Sequence, residues 1–139
     1  MTPGELQSRT KRFAVDVIGF CRTLPRTEEA RMLGRQLFRA GTGVGAAYRA
    51  VCRCKSDPDF IAKLGTAIEE ADESGYWLEL LIEGSVVPAR GCATLSREAD
   101  ELTRIFVASR ETVRARLRAR NRARTRERTN QESRIRNQK

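Results

Sequence analysis

A chain of 139 residues with 32% charged and 6% aromatic side chains suits one domain with a modest core, and a helical bundle fits that supply. It contains no histidine, which excludes Ser/His and Cys/His catalytic pairs, His-ligated zinc and the Glu-x-x-His di-metal sites of carboxylate bundles. The net charge of +9 points to an acidic partner.

Met1 to Arg12 is polar and lacks the apolar centre of a signal peptide, and no apolar run approaches the roughly 18 residues of a membrane span. The expectation is therefore a cytoplasmic protein whose four cysteines, Cys21, Cys52, Cys54 and Cys92, stay reduced. Cys52-x-Cys54 is too closely spaced for a zinc knuckle, so no metal, no cofactor and no catalytic residue is expected.

In chain order, the first helix is predicted from about Leu6 to Leu24, where Phe13, Val17, Phe20 or Cys21, and Leu24 recur at steps of three and four. Pro25 ends it. Thr27 offers an N-cap, with Glu28 and Glu29 in the first turn of a second helix. Leu33, Leu37, Ala40, Val44, Ala47 and Val51 then repeat on one face, and Gly34, Gly41 and Gly45 lie together on its flank. Glycine in a helix costs up to about 1 kcal/mol relative to alanine, so three on one flank predict close packing against another helix. Gly41-x-Gly43-x-x-Ala46 imitates a dinucleotide-binding turn. Arg35, Gln36 and Arg39 interrupt the strand that this turn would need, and no βαβ pattern follows.

Ser56 caps a third helix with Asp57, Pro58 and Asp59 in its first turn. Its stripe is Phe60, Leu64, Ala67, Ala71, Ser74, Leu78 and Leu81; Glu69, Asp72, Tyr76, Glu79 and Glu83 lie opposite. Gly84 and Pro88 mark a stop and a restart. The fourth helix, from about Ala89, repeats the pattern through Cys92, Leu95, Ala99, Leu102, Phe106, Ser109 and Val113. The predicted fold is all-α: an antiparallel up-down-up-down four-helix bundle over residues 1–115, with a basic C-terminal tail over 116–139. From Arg114 to Arg128 every second residue is arginine, and alternate arginines on a helix point in nearly all directions. The tail therefore reads as a frayed helix extension or a disordered arm.

Charge is unevenly placed. Residues 116–139 carry 10 − 2 = +8, leaving 17 − 16 = +1 for the body. Within the body, residues 1–55 have 11 basic and 4 acidic side chains, and residues 56–115 have 6 and 12. Arg31, Arg35, Arg39, Arg49 and Arg53 fall within roughly 80° of one another opposite the apolar stripe of the second helix. Arginine matches phosphate oxygens with several planar donors. These five, with Lys55 and Arg114, Arg116, Arg118 and Arg120 at the tail's root, form the candidate nucleic-acid surface, for RNA or DNA. The helix order also gathers Arg9, Lys11 and Arg12 at that pole. No helix-turn-helix, zinc finger or aromatic RNA-binding stripe is present, so binding directed at the backbone is expected. Consecutive Leu80, Leu81, Ile82 and Ile105, Phe106, Val107 cannot all face one core, which predicts an oligomer with an interface drawn from Glu69, Asp72, Tyr76, Glu79, Ile105 and Val107.

Three pieces of sequence resemble a known family: Arg39-Ala40-Gly41-Thr42-Gly43-Val44-Gly45-Ala46-Ala47-Tyr48-Arg49-Ala50; Asp59-Phe60 with Lys63-Leu64; and Glu70-Ala71-Asp72-Glu73-Ser74 with Trp77-Leu78-Glu79-Leu80. The family is that of the bacterial four helix bundle proteins, which includes the 23S rRNA intervening-sequence proteins and the accessory variability proteins of diversity-generating retroelements. The resemblance spans about residues 10–113. It implies a four-helix protomer and a homopentameric barrel with a basic surface; in the retroelement branch it also implies nucleic acid and a reverse transcriptase as partners. Ala47 stands where relatives commonly have asparagine, and the arginine tail lies outside the shared region.

Two function classes compete. One is a non-enzymatic, oligomeric nucleic-acid-binding bundle. The other is a protein-interaction scaffold that assembles through complementary basic and acidic helix faces. A polybasic arm on a membrane surface is a weaker third reading, because the tail has no apolar anchor.

Overall fold

The computed structural model describes residues 1–139 and contains four helices and no strand. They are α1 (Pro3–Arg22), α2 (Glu28–Val51), α3 (Asp57–Glu83) and α4 (Ala89–Asn137).

Local signals set the helix starts. Thr2 and Glu5 form a capping box, the Thr2 hydroxyl accepting from the Glu5 N–H and the Glu5 carboxylate from the Thr2 N–H. α1 therefore begins three residues before the first apolar periodic position. Thr27 accepts from the Ala30 N–H and Ser56 from the Asp59 N–H, as their positions predict. Asp59 also accepts from the Lys55 N–H and from Lys63 Nζ, and these contacts, Lys63 first, hold its carboxyl below the usual range. α4 has no side-chain cap and starts behind Pro88.

Neighbouring helices run in opposite directions. Along α1 and α2, Cys21 Sγ meets the Gly34 carbonyl, Val17 meets Gly41, and the Thr10 backbone meets Gly45. Between α2 and α3, Arg39 reaches Glu73 while Lys55 reaches Asp59. Between α3 and α4, Asp57 pairs with Arg116 and Arg120, whereas Gly75 lies against Ala99 near the other end.

The apolar stripes meet in one core built on Phe13 and Val17 of α1, Leu37 and Val44 of α2, Leu64, Leu78 and Leu81 of α3, and Leu102 and Phe106 of α4. Tyr48 stacks on Phe106, with ring centroids 5.6 Å apart, and ties α2 to α4. Thr10 and Ser74, the buried polar side chains, donate to the Gln7 and Glu70 carbonyls, which satisfies both hydroxyls; Ser96 Oγ is buried without a partner. α1 and α4 touch little; Arg9 spans them through Glu98 and Glu101.

α2 passes through Gly41 to Gly45 without a break. The glycine flank faces α1. A β carbon at Gly41 would sit 2.8 Å from Val17 Cγ2, and one at Gly45 would lie 3.5 Å from the Thr10 carbonyl oxygen.

The sequence left two alternatives for the tail. Of the two alternatives it takes the helix extension and not the disordered arm: α4 continues without interruption for 49 residues, to Asn137. Arginine and alanine favour helix, and no glycine or proline follows Gly91 to stop it. Arg116 and Arg120, one turn apart, both pair with Asp57 and anchor the root. Thr125 and Thr129 donate to carbonyls one turn back, and Arg128 pairs with Glu132. The last buried residue is Val113, Leu117 is half-buried, and every residue from Arg118 onward is exposed. The chemical boundary near residue 115 is thus not a break in secondary structure.

The two glycines should respond oppositely to alanine. Gly41→Ala is expected to lower unfolding free energy by about 1–3 kcal/mol, because Val17 has no room to retreat. Gly45→Ala meets only ordinary contact distances and should gain up to about 1 kcal/mol from helix propensity. Urea denaturation of both variants checks the sign.

Candidate nucleic-acid interface

The basic file on α2 is exposed on the helix face away from the core, but its members have different surroundings. Arg39 is already neutralised: it reaches Glu73 at 2.9 Å and Glu70 at 3.8 Å on α3. Arg39 therefore divides the file into Arg31 and Arg35 at one end and Arg49 and Arg53 at the other. Ten residues of helix, about 15 Å at about 1.5 Å per residue, separate Arg39 from Arg49.

Arg49 and Arg53 line an open cleft of about 820 Å³ between α1 and α2, and Lys11 faces them from α1. None of these three cations makes an ion pair within the chain, and no carboxylate lines the cleft. The cleft exists because α2 carries Gly45 and Ala46 where α1 passes. Small residues there bring the two backbones together, and the long basic side chains rise at the margins. Arg31 and Arg35 line a second groove near the α1–α2 link, beside Leu24, Pro25 and the exposed Phe38.

The other cations gathered by the helix order do not join the cleft. Arg9 donates to both Glu98 oxygens, the shortest bond being 2.6 Å, and to Glu101 at 3.0 Å; the Glu98 bonds, then Glu101, raise its pKa despite partial burial. Arg12 pairs with Asp16. Lys55 is exposed at the α2–α3 link, where its backbone N–H supports Asp59. At the root of the arm, Arg114 pairs with Glu111, and Arg116 and Arg120 with Asp57, whereas Arg118 is exposed and makes no ion pair. Sequence periodicity could place all these arginines but could not show which ones a carboxylate from another helix had already claimed.

The acidic side is equally distinct. Asp72, Tyr76 and Glu79 of α3 and Asp100 of α4 line a groove of about 290 Å³ that contains no basic residue; Asp100 pairs outside it with Arg104. Glu69 is exposed on the same helix. The two apolar residues expected at an interface are placed differently: Ile105 packs against the core and Val107 is half-buried. The surplus apolar surface is instead Val15, Met32, Phe38 and Tyr76, with Ile135 on the arm.

Glu70 was not a sequence candidate, and its surroundings are unusual. One carboxylate oxygen is buried without a hydrogen bond, against Gly43, where a β carbon would come within 2.9 Å of it. Burial raises the Glu70 pKa, Glu73 adds to the effect, and Arg39 opposes it. A carboxyl whose pKa is raised by folding stabilises the fold below its unfolded pKa and loses that contribution as pH rises through the folded value. Glu70→Gln is therefore expected to raise the urea midpoint at pH 7 and to leave it unchanged well below the carboxylate range. Denaturation at the two pH values tests this.

No helix is long and apolar enough to cross a membrane. No match is found among curated proteins. Among solved structures, the chain resembles a protein of unknown function from the S23 ribosomal protein family of Bacteroides thetaiotaomicron, with 27% identity and a TM-score of 0.73, over 80% of this chain and 99% of the other. The 23S rRNA-intervening sequence protein profile matches residues 5–108, a span that holds nearly all of α1, the whole of α2 and α3 and the first part of α4, with the α1/α2 cleft and the Arg39 pairs, but ends before the arginine arm. With three quarters of its length matched and the same four-helix architecture, the chain belongs to the 23S rRNA-intervening sequence protein family.

Proposed function

We propose that this protein is a non-enzymatic, oligomeric nucleic-acid-binding bundle that engages the phosphate backbone, and that the α1/α2 cleft is its principal contact within the family region. The observation that carries this reading is the convergence of Lys11, Arg49 and Arg53 on one cleft with no carboxylate among its lining residues. Elsewhere in the body, Arg9, Arg12 and Arg39 each have an acidic partner in the chain. Unneutralised cations around a concave strip attract a polyanion, and their alternate partner would be water. The family's description, which names an rRNA insert, favours RNA as the first ligand to try. Arg31 and Arg35 contribute a second, smaller contact at the far end of α2 in this reading. A cytoplasmic location follows from it.

Self-association belongs to the same proposal. Phe38, Met32 and Val15 are exposed on α1 and α2, and a second copy would cover them. Five copies, as the family resemblance implies, would repeat the cleft around a ring and raise affinity by avidity. Mass measurement in solution decides this; a monomer at micromolar concentration would remove the oligomeric part.

One observation favours the scaffold reading as the runner-up. The α3/α4 groove is as purely acidic as the α1/α2 cleft is basic, so the two could mate between copies. Reversing Asp72 and Glu79 to lysine would then disperse the assembly, whereas the nucleic-acid reading predicts that it would not.

The binding test is charge reversal in the full chain. Lys11→Glu, Arg49→Glu and Arg53→Glu together should weaken single-stranded RNA binding at least tenfold. Loss of three phosphate contacts should also flatten the dependence of log K on log salt by about 2. Arg39→Glu should disturb stability more than binding, since Arg39 is already paired. Unchanged RNA affinity in the triple variant would remove the cleft from the interface.

A further inference from the structure

The arginine arm has an order that its sequence alternation conceals. On a helix each step of two residues turns about 200°, so successive arginines fall on nearly opposite sides and follow two files of i, i+4 spacing that wind slowly round the axis and leave one open gap of about 80°. Arg114, Arg118, Arg122 and Arg126 occupy one sector about 120° wide; Arg116, Arg120, Arg124 and Arg128 occupy a second on the opposite side. Arg136 falls in the first sector and Arg134 in the second. The wider gap between the files holds Ala119 and Ala123, and the arm is exposed all round from Arg118 onward. Its exposed helical length, residues 118–137, is about 30 Å.

Most of this charge has no counter-charge. Glu127 and Glu132 are the acids beyond Glu111, and Glu132 is taken by Arg128. Arg118, Arg122, Arg124, Arg126, Arg134 and Arg136 make no ion pair in the chain. Within each file the arginines stand four residues apart, the spacing at which like charges repel on a helix. A helix built this way is relieved by anions on both sides at once, not on one.

We infer that the C-terminal arm of α4 is a second nucleic-acid element, separate from the α1/α2 cleft, which lies in the major groove of a B-form duplex with one arginine file against each flanking phosphate strand. An α-helix is about 10–12 Å across with its side chains, and the B-form major groove is about 12 Å wide. The unpaired members, Arg118, Arg122 and Arg126 on one side and Arg124 and Arg134 on the other, then reach the two strands that wall the groove, while Arg116 and Arg120 stay on Asp57 and the alanine gap lets the helix axis approach its floor. The A-form major groove of duplex RNA is too deep and narrow for such a seat, and a single strand has only one line of phosphates. Asp57, by pairing with Arg116 and Arg120, fixes the arm as a helix at the pole of the bundle and sets the direction in which it projects. The contacts are to phosphate, so the arm selects duplex shape without reading sequence. This inference does not rest on the cleft reading, since the arm lies outside residues 5–108.

The test separates helical order from charge. Ala123→Pro keeps every arginine but breaks the arm at its middle, while Ala123→Ser keeps the helix. Ala123 does not pack on the bundle, so the body stays folded in both variants. The wild type and Ala123→Ser should bind a DNA duplex of about two helical turns at least tenfold more tightly than an RNA duplex of equal length. Ala123→Pro should lose at least tenfold in DNA affinity and with it most of that preference, with single-stranded RNA binding unchanged. The inference is overturned if Ala123→Pro binds duplex DNA as the wild type does, which would make the arm a loose polybasic tail. Equal affinity of the wild type for duplex RNA and duplex DNA would overturn it as well. Failure of the cleft variants on single-stranded RNA would leave these outcomes unaffected, so the two readings fail separately.

Discussion

The close contact between α1 and α2 is the constraint on which the rest of the molecule depends. Gly41 has no side chain where Val17 is fully buried, and Gly45 lies against the backbone of Thr10. Each glycine weakens its own helix by up to about 1 kcal/mol, and the packing of two helices at backbone distance offsets that cost. The same contact fixes the register of α1 on α2. With Thr10 opposite Gly45, the next residue, Lys11, is brought to the cleft that Arg49 and Arg53 line one and two turns further along α2. A packing solution thus produces the basic cleft as its by-product.

Internal neutralisation then decides which of the 27 basic side chains remain available. Arg9 closes the gap between α1 and α4, Arg39 joins α2 to α3, and Arg116 and Arg120 hold the root of the arm on Asp57. These cations serve the fold. Lys11, Arg49 and Arg53 in the cleft, Arg31 and Arg35 at the far end of α2, and the outer arginines of the arm have no such partner. The distinction matters more than the net charge, because a paired arginine must give up a carboxylate before it can bind a phosphate, and exposed pairs differ widely in what that costs.

Much of the fold was legible because two of its helices, α2 and α3, carry agreeing local signals. Thr27 and Ser56 cap, glutamate and aspartate follow in the first turns, and the apolar residues return every three or four positions. The glycine flank was legible too, since its continuity with the stripe of α2 argued against a phosphate-binding turn. The start of α1 was missed because its signal, the Thr2 and Glu5 capping box, precedes any apolar residue. The arm was left between two alternatives for a different reason: a spacing of two suggests a strand or a scatter, and only the 200° step of a helix turns it into two files. The fate of Arg39 and Arg9 was not legible at all. Their partners lie 34 and 89 residues away, and a side-chain pairing across helices has no local sequence trace. Ile105 illustrates the same limit for apolar residues, since a stripe wider than one face can still be absorbed by the core, as it is here.

In the proposed function, the unpaired cations of the α1/α2 cleft and of the arm, and not the basic residues in general, form the binding surface. Photo-crosslinking of nucleic acid to the intact protein, followed by mass spectrometry of the peptides, measures this directly. On this proposal, crosslinks assigned to single residues are expected at Lys11, at Arg49 and Arg53 and from Arg118 to Arg126, and none at Arg9 or along the acidic groove of α3. Crosslinks centred on Arg9 or Arg39, or spread evenly over every basic segment, would contradict it.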